Sequence, residues 1–555
     1  MVQIYCKNTG ETKMFEAGTT LLDMLPEFGP ESPYRILSAK VNNVSQGLKF
    51  KVYNNKDIEY VDYRNASGRR VYCRSLSFLL CKAARDLFPG SDMHIKHPIS
   101  NGYFCQLTKA GGEGASDKDI AAICKRMREL VDKDLPFHRY EVRTSEAIEK
   151  FREKGYMDKV KLLETCGQPY IDYYSLGNTV DYYYGRLVPS TGYLDVWAVE
   201  PYEDGMLLRV PKRDNPAELC DKPAQPKTFE VFSEDLKWNG FMNLSCVGDV
   251  NLACEKGSAP ELIQVAEALQ EKKLVQIAEE IDRRYRSDKD PVRIVLITGP
   301  SSSGKTTVTK RLSVQLKACG LRPVSFSTDD YFVNRVDTPK LPDGRYDFDN
   351  FETVDHAALE RDVLALLKGE EVDVPEYDFV TGRREYRGRR LRLSEGNVLI
   401  IEGIHALNPG LVPHVDPKSQ FKIFISTLTS IPLDYHNWVP TSDNRLLRRI
   451  IRDYNKGAFT ARETISQWPN VREAEEQWIY PYQETADAMF NSAYLIEFAV
   501  LRNHAEPILA SVPKDCPEYS EAHRLLKFIH YFTPVSDKDV PRTSLLRAFI
   551  GGGSL

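Results

Sequence analysis

The stretch Gly-Pro-Ser-Ser-Ser-Gly-Lys-Thr at residues 299–306 decides the fold of the C-terminal half of this 555-residue chain. It matches the phosphate-binding pattern G-x-x-x-x-G-K-[ST], in which glycines let backbone N–H groups turn toward an anion. The apolar run 293–298 before it predicts a buried parallel strand, and residues 307–319 after it predict a helix whose N-terminus favours negative charge. We therefore expect the chain to bind a nucleoside triphosphate.

Each residue of this loop is a candidate contact to that nucleotide. Lys305 is expected to reach the β- and γ-phosphates, and the Thr306 hydroxyl is expected to hold Mg²⁺. The expected cofactors are therefore ATP and Mg²⁺. The predicted cofactor contacts are Gly299, Pro300, Ser301, Ser302, Ser303, Gly304, Lys305, Thr306 and Thr307.

Length and composition narrow the class of protein. A chain of 555 residues is too long for one core, so about three or four domains are expected. The formal net charge of −5 gives no global basic field for nucleic acid. No apolar run has membrane-spanning length, and the N-terminal residues lack the layout of a secretion signal. The 11 cysteines include no C-x-x-C pair, so a cytoplasmic location is expected.

Carboxylates follow two further predicted strands. Residues 323–328 predict a second buried strand that ends at Asp329 and Asp330, and residues 397–401 predict a third that ends at Glu402. A carboxylate at the end of the second strand, Asp329 or Asp330, can accept the proton of an attacking hydroxyl, and Glu402 is a candidate Mg²⁺ ligand. The alternatives are a turn-capping aspartate and a solvated strand-end glutamate.

A helix dense in arginine is predicted over residues 443–453. Its arginines fall along one side, as a lid over a polyphosphate requires. The alternative is a solvated face with ion pairs to Asp443 and Asp453. The arginines are Arg445, Arg448, Arg449 and Arg452.

These features together resemble the uridine kinase and phosphoribulokinase family over about residues 291–510. The phrases that carry the resemblance are residues 299–307, 327–331, 347–350, 375–379, 401–404 and 445–453. The resemblance implies that Asp349 holds ribose hydroxyls and that Tyr377 forms a base-binding wall. It implies that Asp329 is the general base for the acceptor hydroxyl, with Asp330 as the second choice. It implies lid roles for Arg449 and Arg452, with Gln467 behind them.

Two departures from that family concern the acceptor side. Gly382 stands where uridine kinases have a histidine that contacts the pyrimidine. Gly457 and Phe459 stand where two further lid arginines are expected, with Lys456 nearby as a substitute. A missing base-reading hydrogen bond changes selectivity strongly, so phosphoryl transfer is better supported than the identity of the base.

The first 245 residues resemble the front of threonyl-tRNA synthetases. Residues 17–23, 39–43 and 54–59 resemble the ubiquitin-like TGS domain. Residues 74–88, a predicted helix, together with 97–104 and 181–192, resemble the editing domain. Its four metal ligands align with Arg74, Phe78, Tyr183 and Leu187, which are poor ligands, so this region is expected to have lost the editing chemistry. His94 and His97 are expected on a loop as structural histidines.

The expected fold is multidomain α/β and α+β. It comprises a small ubiquitin-like β-grasp domain at 1–62 and an editing-like α+β domain without zinc ligands at 63–245. A helical linker at 246–290 leads to a P-loop kinase domain with a parallel sheet flanked by helices at 291–535. A C-terminal tail at 536–555 completes the chain, with its last five residues expected to be flexible.

The expected function is an ATP-dependent kinase that acts on a nucleoside hydroxyl, with uridine or cytidine as the substrate implied by the resemblance. A second reading keeps the kinase and changes the acceptor to a sugar phosphate or another small alcohol. A third reading is a nucleotide-gated regulator that binds RNA or the ribosome through weak contacts of the N-terminal domains. A homo-oligomer without membrane contact is expected, although no residue pattern specifies it.

Overall fold

The computed structural model describes residues 1–289 and 291–555. The first 62 residues form a five-stranded sheet in the order β2-β1-β7-β4-β5, with a short β3–β6 pair. The helix α1 begins after Thr20, whose hydroxyl accepts a hydrogen bond from the Asp23 N–H, as the capping pattern predicts. The elements are β1 Val2–Cys6, β2 Glu11–Phe15, β3 Thr19–Thr20, α1 Leu21–Phe28, β4 Ser38–Val41, β5 Val44–Gly47, β6 Lys51–Val52 and β7 Lys56–Val61.

The middle region contains a three-stranded sheet, β10-β11-β12, and a four-stranded sheet, β13-β14-β9-β8. Its long helix α2 begins eight residues before the predicted start at Arg74, because the Asn65 side chain accepts a hydrogen bond from the Ser67 N–H and caps the helix there. The elements are α2 Ala66–Leu87, β8 Asp92–Ile99, β9 Gly102–Thr108, α3 Asp117–Asp132, β10 Phe137–Arg143, α4 Thr144–Glu153, α5 Met157–Thr165, β11 Tyr170–Leu176, β12 Thr179–Tyr182, β13 Ala198–Tyr202 and β14 Gly205–Arg209.

The prediction of a loop around His94 and His97 is wrong. Both histidines lie in β8, and their rings stack on aromatic side chains that are distant along the chain. His97 stacks on Phe232 with 4.4 Å between ring centroids, and His94 stacks on Tyr435 at 3.8 Å. They are packed structural histidines.

The C-terminal region is built on a five-stranded parallel sheet in the order β16-β19-β15-β20-β21, as expected for a P-loop fold. The strand β15 is buried throughout, whereas β16 is an edge strand and only half-buried, contrary to the prediction of a second buried strand. The elements are β15 Ile294–Thr298, α9 Lys305–Ala318, β16 Arg322–Ser327, α10 His356–Leu367, β17 Val372–Asp378, β18 Arg383–Leu391, β19 Asn397–Glu402, β20 Gln420–Ser426, α11 Thr441–Asn455, α12 Ala461–Trp478, β21 Ala488–Asn491, α13 Glu497–Ala510, α14 Tyr519–Ile529 and α15 Arg547–Ile550.

The segment expected to be a linker is packed structure. The helices α7 Val247–Glu255 and α8 Ala259–Tyr285 lie in this segment, and α6 Pro226–Phe241 precedes it. The α8 side chains of Leu274, Ile277 and Ile281 share one buried cluster with Val295 and Ile297 of β15. This part of the helix therefore covers one face of the P-loop sheet, which removes these apolar side chains from water.

Much of the segment expected to be a tail is packed as well. Leu545, Leu546, Phe549 and Ile550 are buried. Leu545 lies so close to the phosphate-binding loop that a Cβ on Gly304 would be 3.4 Å from its side chain. Residues 545–550 therefore form part of the structure that supports the loop.

No helix in the part of the chain that the structure describes is long and apolar enough to cross a membrane.

Candidate active site

The loop at residues 299–307 joins β15 to α9 with the backbone conformation that its glycines predict. Gly304 has φ 88° and Ser302 has φ 62°, both in the left-handed region. A Cβ on Gly299 would lie 2.4 Å from the Ile425 carbonyl oxygen, so only glycine fits against β20. The Lys305 Nζ donates hydrogen bonds to the carbonyl oxygens of Gly299, at 3.0 Å, and Pro300, at 3.4 Å. The ammonium group is thus held across the mouth of the loop.

Two carboxylates face this loop from neighbouring strand ends. Ser327 of β16 pairs with Glu402 of β19, so Asp329, just beyond β16, lies beside Glu402. The Thr306 hydroxyl donates a 2.9 Å hydrogen bond to Glu402 Oε1. An oxygen donor set of this kind, one hydroxyl and one carboxylate beside a phosphate loop, fits Mg²⁺.

Asp329 has the most perturbed carboxyl group of the site. Burial raises its pKa, the neighbouring Glu402 carboxylate raises it further, and the Lys305 ammonium opposes both, which leaves a pKa of about 7. Burial also lowers the pKa of Lys305, against the attraction of Glu402 and Asp329. A carboxyl group that titrates near neutral pH suits acid–base work.

The arginines of α11 divide into two sets, which corrects the prediction of a one-sided lid. Arg445 and Arg448 are 1% and 0% exposed, and they pair with the carboxylates of Glu475 and Glu497. The same guanidinium groups donate to carbonyl oxygens of the loop, Arg445 to Ser301 at 3.1 Å and Arg448 to Ser302 at 3.3 Å. Because these two arginines are buried and bonded to the loop backbone, they support the loop and do not close over a ligand.

Arg449 and Arg452 lie nearer the open side. Arg449 Nη1 donates a 3.1 Å hydrogen bond to the Ser301 hydroxyl, and Arg452 pairs with Asp453 at 2.7 Å. Gln467 is half-buried on α12, and no hydrogen bond joins its amide to the other site residues that the structure describes. Lys456, Gly457 and Phe459 are exposed beyond the end of α11.

Two of the expected acceptor residues, Asp349 and Tyr377, have defined neighbours in the structure. Burial raises the pKa of Asp349, opposed by the Arg449 guanidinium, so these two expected site residues lie together. Tyr377 is buried in an aromatic group, 5.5 Å from Phe332 and 5.0 Å from Phe379 between ring centroids.

An arginine fills the space beside Gly382. Gly382 has φ 71°, and a Cβ there would lie 2.8 Å from both Cβ and Nε of Arg335. Arg335 Nη2 donates a 2.5 Å hydrogen bond to the Phe379 carbonyl oxygen. A histidine at position 382 would therefore displace Arg335, which the sequence analysis did not single out.

Two further residues of the site were missed. His405 is buried beside the backbone of Asp349 and Asn350, and burial lowers its pKa to about 4, so it is neutral. Glu475 accepts a 3.0 Å hydrogen bond from the Ser301 N–H of the loop. The sequence signal for His405 was its position three residues after Glu402; Glu475 carried no local signal.

The aligned editing positions form a packed core. The rings of Phe78 and Tyr183 lie 5.4 Å apart, and Leu187 is buried in the same cluster. Nearby, ligand atoms of Cys81, Asp181 and His436 come within 4.8 Å of one another. Burial opposes the charge of His436, but the Asp181 carboxylate 2.7 Å away raises the pKa of His436 to about 10. In the structure His436 and Asp181 form a buried ion pair.

The fold and site are those of a P-loop domain that follows a region resembling the front of a synthetase. Residues 294–495 match the Phosphoribulokinase / Uridine kinase family. Kinases of this family use ATP with Mg²⁺. The loop, Thr306 and Glu402 fit those cofactors.

The N-terminal region is similar to threonine–tRNA ligases. The ligase of Laribacter hongkongensis is 30% identical over 189 residues, which cover 34% of this chain and 30% of the ligase. That of Azobacteroides pseudotrichonymphae is 27% identical over 194 residues, 35% of this chain and 30% of the ligase. The chain thus spans about 30% of the length of the curated relatives that it matches.

Solved structures also match part of the chain. A structure described as a possible uridine kinase from Bacillus stearothermophilus is 20% identical, with a TM-score of 0.28, and the match covers 39% of this chain and 98% of that one. A D-glycerate 3-kinase from Cryptococcus neoformans is 15% identical, with a TM-score of 0.23, and the match covers 47% of this chain and 87% of that one.

Proposed function

We propose that the chain is an ATP-dependent kinase that transfers the γ-phosphoryl group to the 5′-hydroxyl of a uridine- or cytidine-like nucleoside. The observation that carries the proposal is the Asp329 carboxyl group, which lies beside Glu402 and Lys305 with a pKa of about 7. An aspartate at that place can remove the proton of an acceptor hydroxyl as the hydroxyl attacks.

The other residues have supporting roles in this proposal. The N–H groups of residues 299–307 cradle the phosphates, and Lys305 neutralises their charge. Thr306 and Glu402 would hold Mg²⁺, which supplies positive charge to the transferring phosphoryl group when it is bound. Arg449 and Arg452 stabilise charge from the opposite side. Asp349 and Tyr377 bind the acceptor, and pyrimidine salvage is the process that such a kinase serves.

The test is a panel of nucleosides with ATP and Mg²⁺, read by product formation. The wild-type chain is expected to phosphorylate at least one pyrimidine nucleoside. Asp329→Asn is expected to lower kcat by about 10²–10⁴-fold. The matched control is Asp330→Asn, because the Asp330 carboxylate is turned away to Arg389 and the Ser327 N–H. A chain that binds ATP and phosphorylates no nucleoside contradicts the proposal.

Arg335 beside Gly382 favours a second candidate, a kinase for a sugar phosphate or another small alcohol. A guanidinium group is well suited to bind a phosphate on the acceptor. Adding phosphorylated and neutral sugars to the same panel separates the two candidates. A higher kcat/KM for a sugar phosphate than for any nucleoside would support the second candidate function.

A further inference from the structure

Two neighbouring cavities lie beside α2. The first is also lined by the N-terminal module and the C-terminal helix α14, and the second by the start of α11. Their volumes are about 160 Å³ for the first and about 290 Å³ for the second. They share the side chains of Arg70, Arg74 and Tyr184. Three separate parts of the chain thus enclose one polar space.

The walls of the smaller cavity carry more positive than negative groups. Three of its arginines have carboxylate partners: Arg186 pairs with Asp172 at 2.7 Å, Arg70 with Glu521 at 2.9 Å, and Arg524 with Asp443 at 2.6 Å. Two further cations line the same space, Arg74 and Lys527. Within residues 1–289 and 291–555, neither of these two has an ion pair.

Arg74 is the decisive group. Arg74 is only 7% exposed, and its guanidinium lies 4.6 Å from the centroid of the Tyr184 ring. It makes no hydrogen bond to any residue that the structure describes. A Cβ on Gly185 would be 2.2 Å from Arg74 Nη1, so the glycine leaves the room that the guanidinium occupies. A buried cation without a counter-ion is costly, which indicates that an anion completes the site.

Lys527 supports this reading. Burial, together with the nearby Arg186 and Arg74, lowers the pKa of Lys527 to about 8 against the attraction of Asp172. Lys527 and Arg524 are three residues apart on α14, so both side chains lie on one face of the helix. An anion between them and Arg74 would relieve the repulsion.

We propose that this cavity binds a small ligand of the phosphate class, a pyrophosphate or a phosphate ester, between Arg74, Lys527 and Arg524. Guanidinium groups suit phosphate because they donate paired hydrogen bonds to its oxygens. The volume of about 160 Å³ accommodates such a group and not a nucleic-acid strand.

The site is connected to the nucleotide loop. Arg524 binds Asp443 in the first turn of α11, and Arg445 and Arg448 of the same helix hold the loop carbonyl groups. An anion that draws Arg524 away from Asp443 changes the support of α11. Occupancy is therefore expected to change the affinity for ATP by about 5- to 150-fold.

The test uses the full-length chain with Lys305→Ala, so that pyrophosphate binding at the nucleotide loop is weakened and the second site is measured alone. Pyrophosphate titration by calorimetry is expected to show one site. Arg74→Gln and Lys527→Gln, each added to this background, are expected to weaken binding at least tenfold. The control is Arg213→Gln, an exposed arginine, which is expected to leave the affinity within twofold.

A second readout does not depend on the loop. Bound anion raises the pKa of Lys527, so pyrophosphate should slow its acylation at pH 8, measured by peptide mass spectrometry. If Arg74→Gln fails to fold by circular dichroism, Lys527→Gln and the acylation rate decide. Absence of pyrophosphate binding, or equal binding in all variants, overturns the proposal. Binding of tRNA without binding of pyrophosphate overturns it as well.

Discussion

At the residue scale, the chemistry of the site depends on the pKa of one carboxyl group. Asp329 lies beside Glu402, and burial and repulsion between the two carboxylates bring its pKa to about 7. Asp330, the next residue, is held by Arg389 and points elsewhere. The neighbouring aspartates therefore differ by environment and not by residue type.

The first prediction concerns the pH dependence of catalysis. The base must be deprotonated, so kcat/KM should rise with pH through about 7 and level off above it. Asp330→Asn should keep this limb of the profile, and Asp329→Asn should lose it together with most of the activity. Initial rates from pH 5.5 to 8.5 measure the profile. A flat wild-type profile with rate-limiting chemistry would contradict the role of Asp329.

The second prediction concerns Arg335, which occupies the space beside Gly382. Arg335→Ala should raise the KM for the acceptor about tenfold or more, because a charged hydrogen bond contributes about 1.5–3 kcal/mol. The KM for ATP should stay within twofold. Arg383→Ala, an exposed arginine that follows Gly382 at the start of β18, is the control. Equal effects of the two substitutions would show that Arg335 does not touch the acceptor.

At the scale of elements, α11 connects the nucleotide loop to the carboxylates of other helices. Arg445 and Arg448 each bind one loop carbonyl and one buried glutamate, Glu475 on α12 or Glu497 on α13. The helix thus positions the loop through ion pairs and leaves Arg449 and Arg452 nearer the cleft. Buried pairs of this kind fix geometry more than they add stability.

The third prediction separates the contribution of Arg448 to stability from its positioning of the nucleotide loop. Arg448→Met should lower the free energy of unfolding by about 3–5 kcal/mol, because it leaves the Glu497 carboxylate buried and unpaired. Arg448→Met with Glu497→Gln should recover at least half of that loss. Both variants should bind ATP about tenfold more weakly, since Ser302 loses its donor. Urea denaturation and nucleotide titration measure the two quantities. Recovery of ATP affinity in the double variant would argue against a positioning role.

At the scale of the whole molecule, the middle and C-terminal regions share one core. Leu162 and Tyr182 of the middle region belong to the same buried cluster as Leu446 and Phe528. Across this boundary Lys159, 1% exposed in its side chain, pairs at 3.1 Å with Asp181 and with Asp434. The synthetase-like region is therefore a structural part of the protein and not a freely moving attachment.

The fourth prediction tests this boundary. Lys159→Met should lower the free energy of unfolding by about 3–5 kcal/mol, because it leaves the buried Asp434 carboxylate without its cationic partner and removes one partner of Asp181. Lys161→Met, on the same helix α5, removes a partly exposed pair with Asp249 and should cost about 0–1 kcal/mol. Urea denaturation followed by tryptophan fluorescence measures both. Similar small losses would show that the buried pairs do not bind the regions together.

The sequence by itself determined the nucleotide loop, the strand and helix around it, and the carboxylates that face it. The reason is local: glycines and a lysine at fixed spacing impose the loop, and parallel strands bring their carboxyl ends to one edge. It also predicts that the editing positions do not bind a metal, because arginine, phenylalanine, tyrosine and leucine are poor metal ligands.

Only the tertiary structure decided which arginines of α11 hold the backbone of the nucleotide loop and which lie nearer its open side. Arg448 and Glu497 are 49 residues apart, and Leu545 reaches the loop from near the end of the chain, so no local pattern joins them. The same holds for Arg335 at Gly382 and for the cations around Arg74. Charge pairing and close packing between distant segments depend on three-dimensional position, which residue spacing does not report.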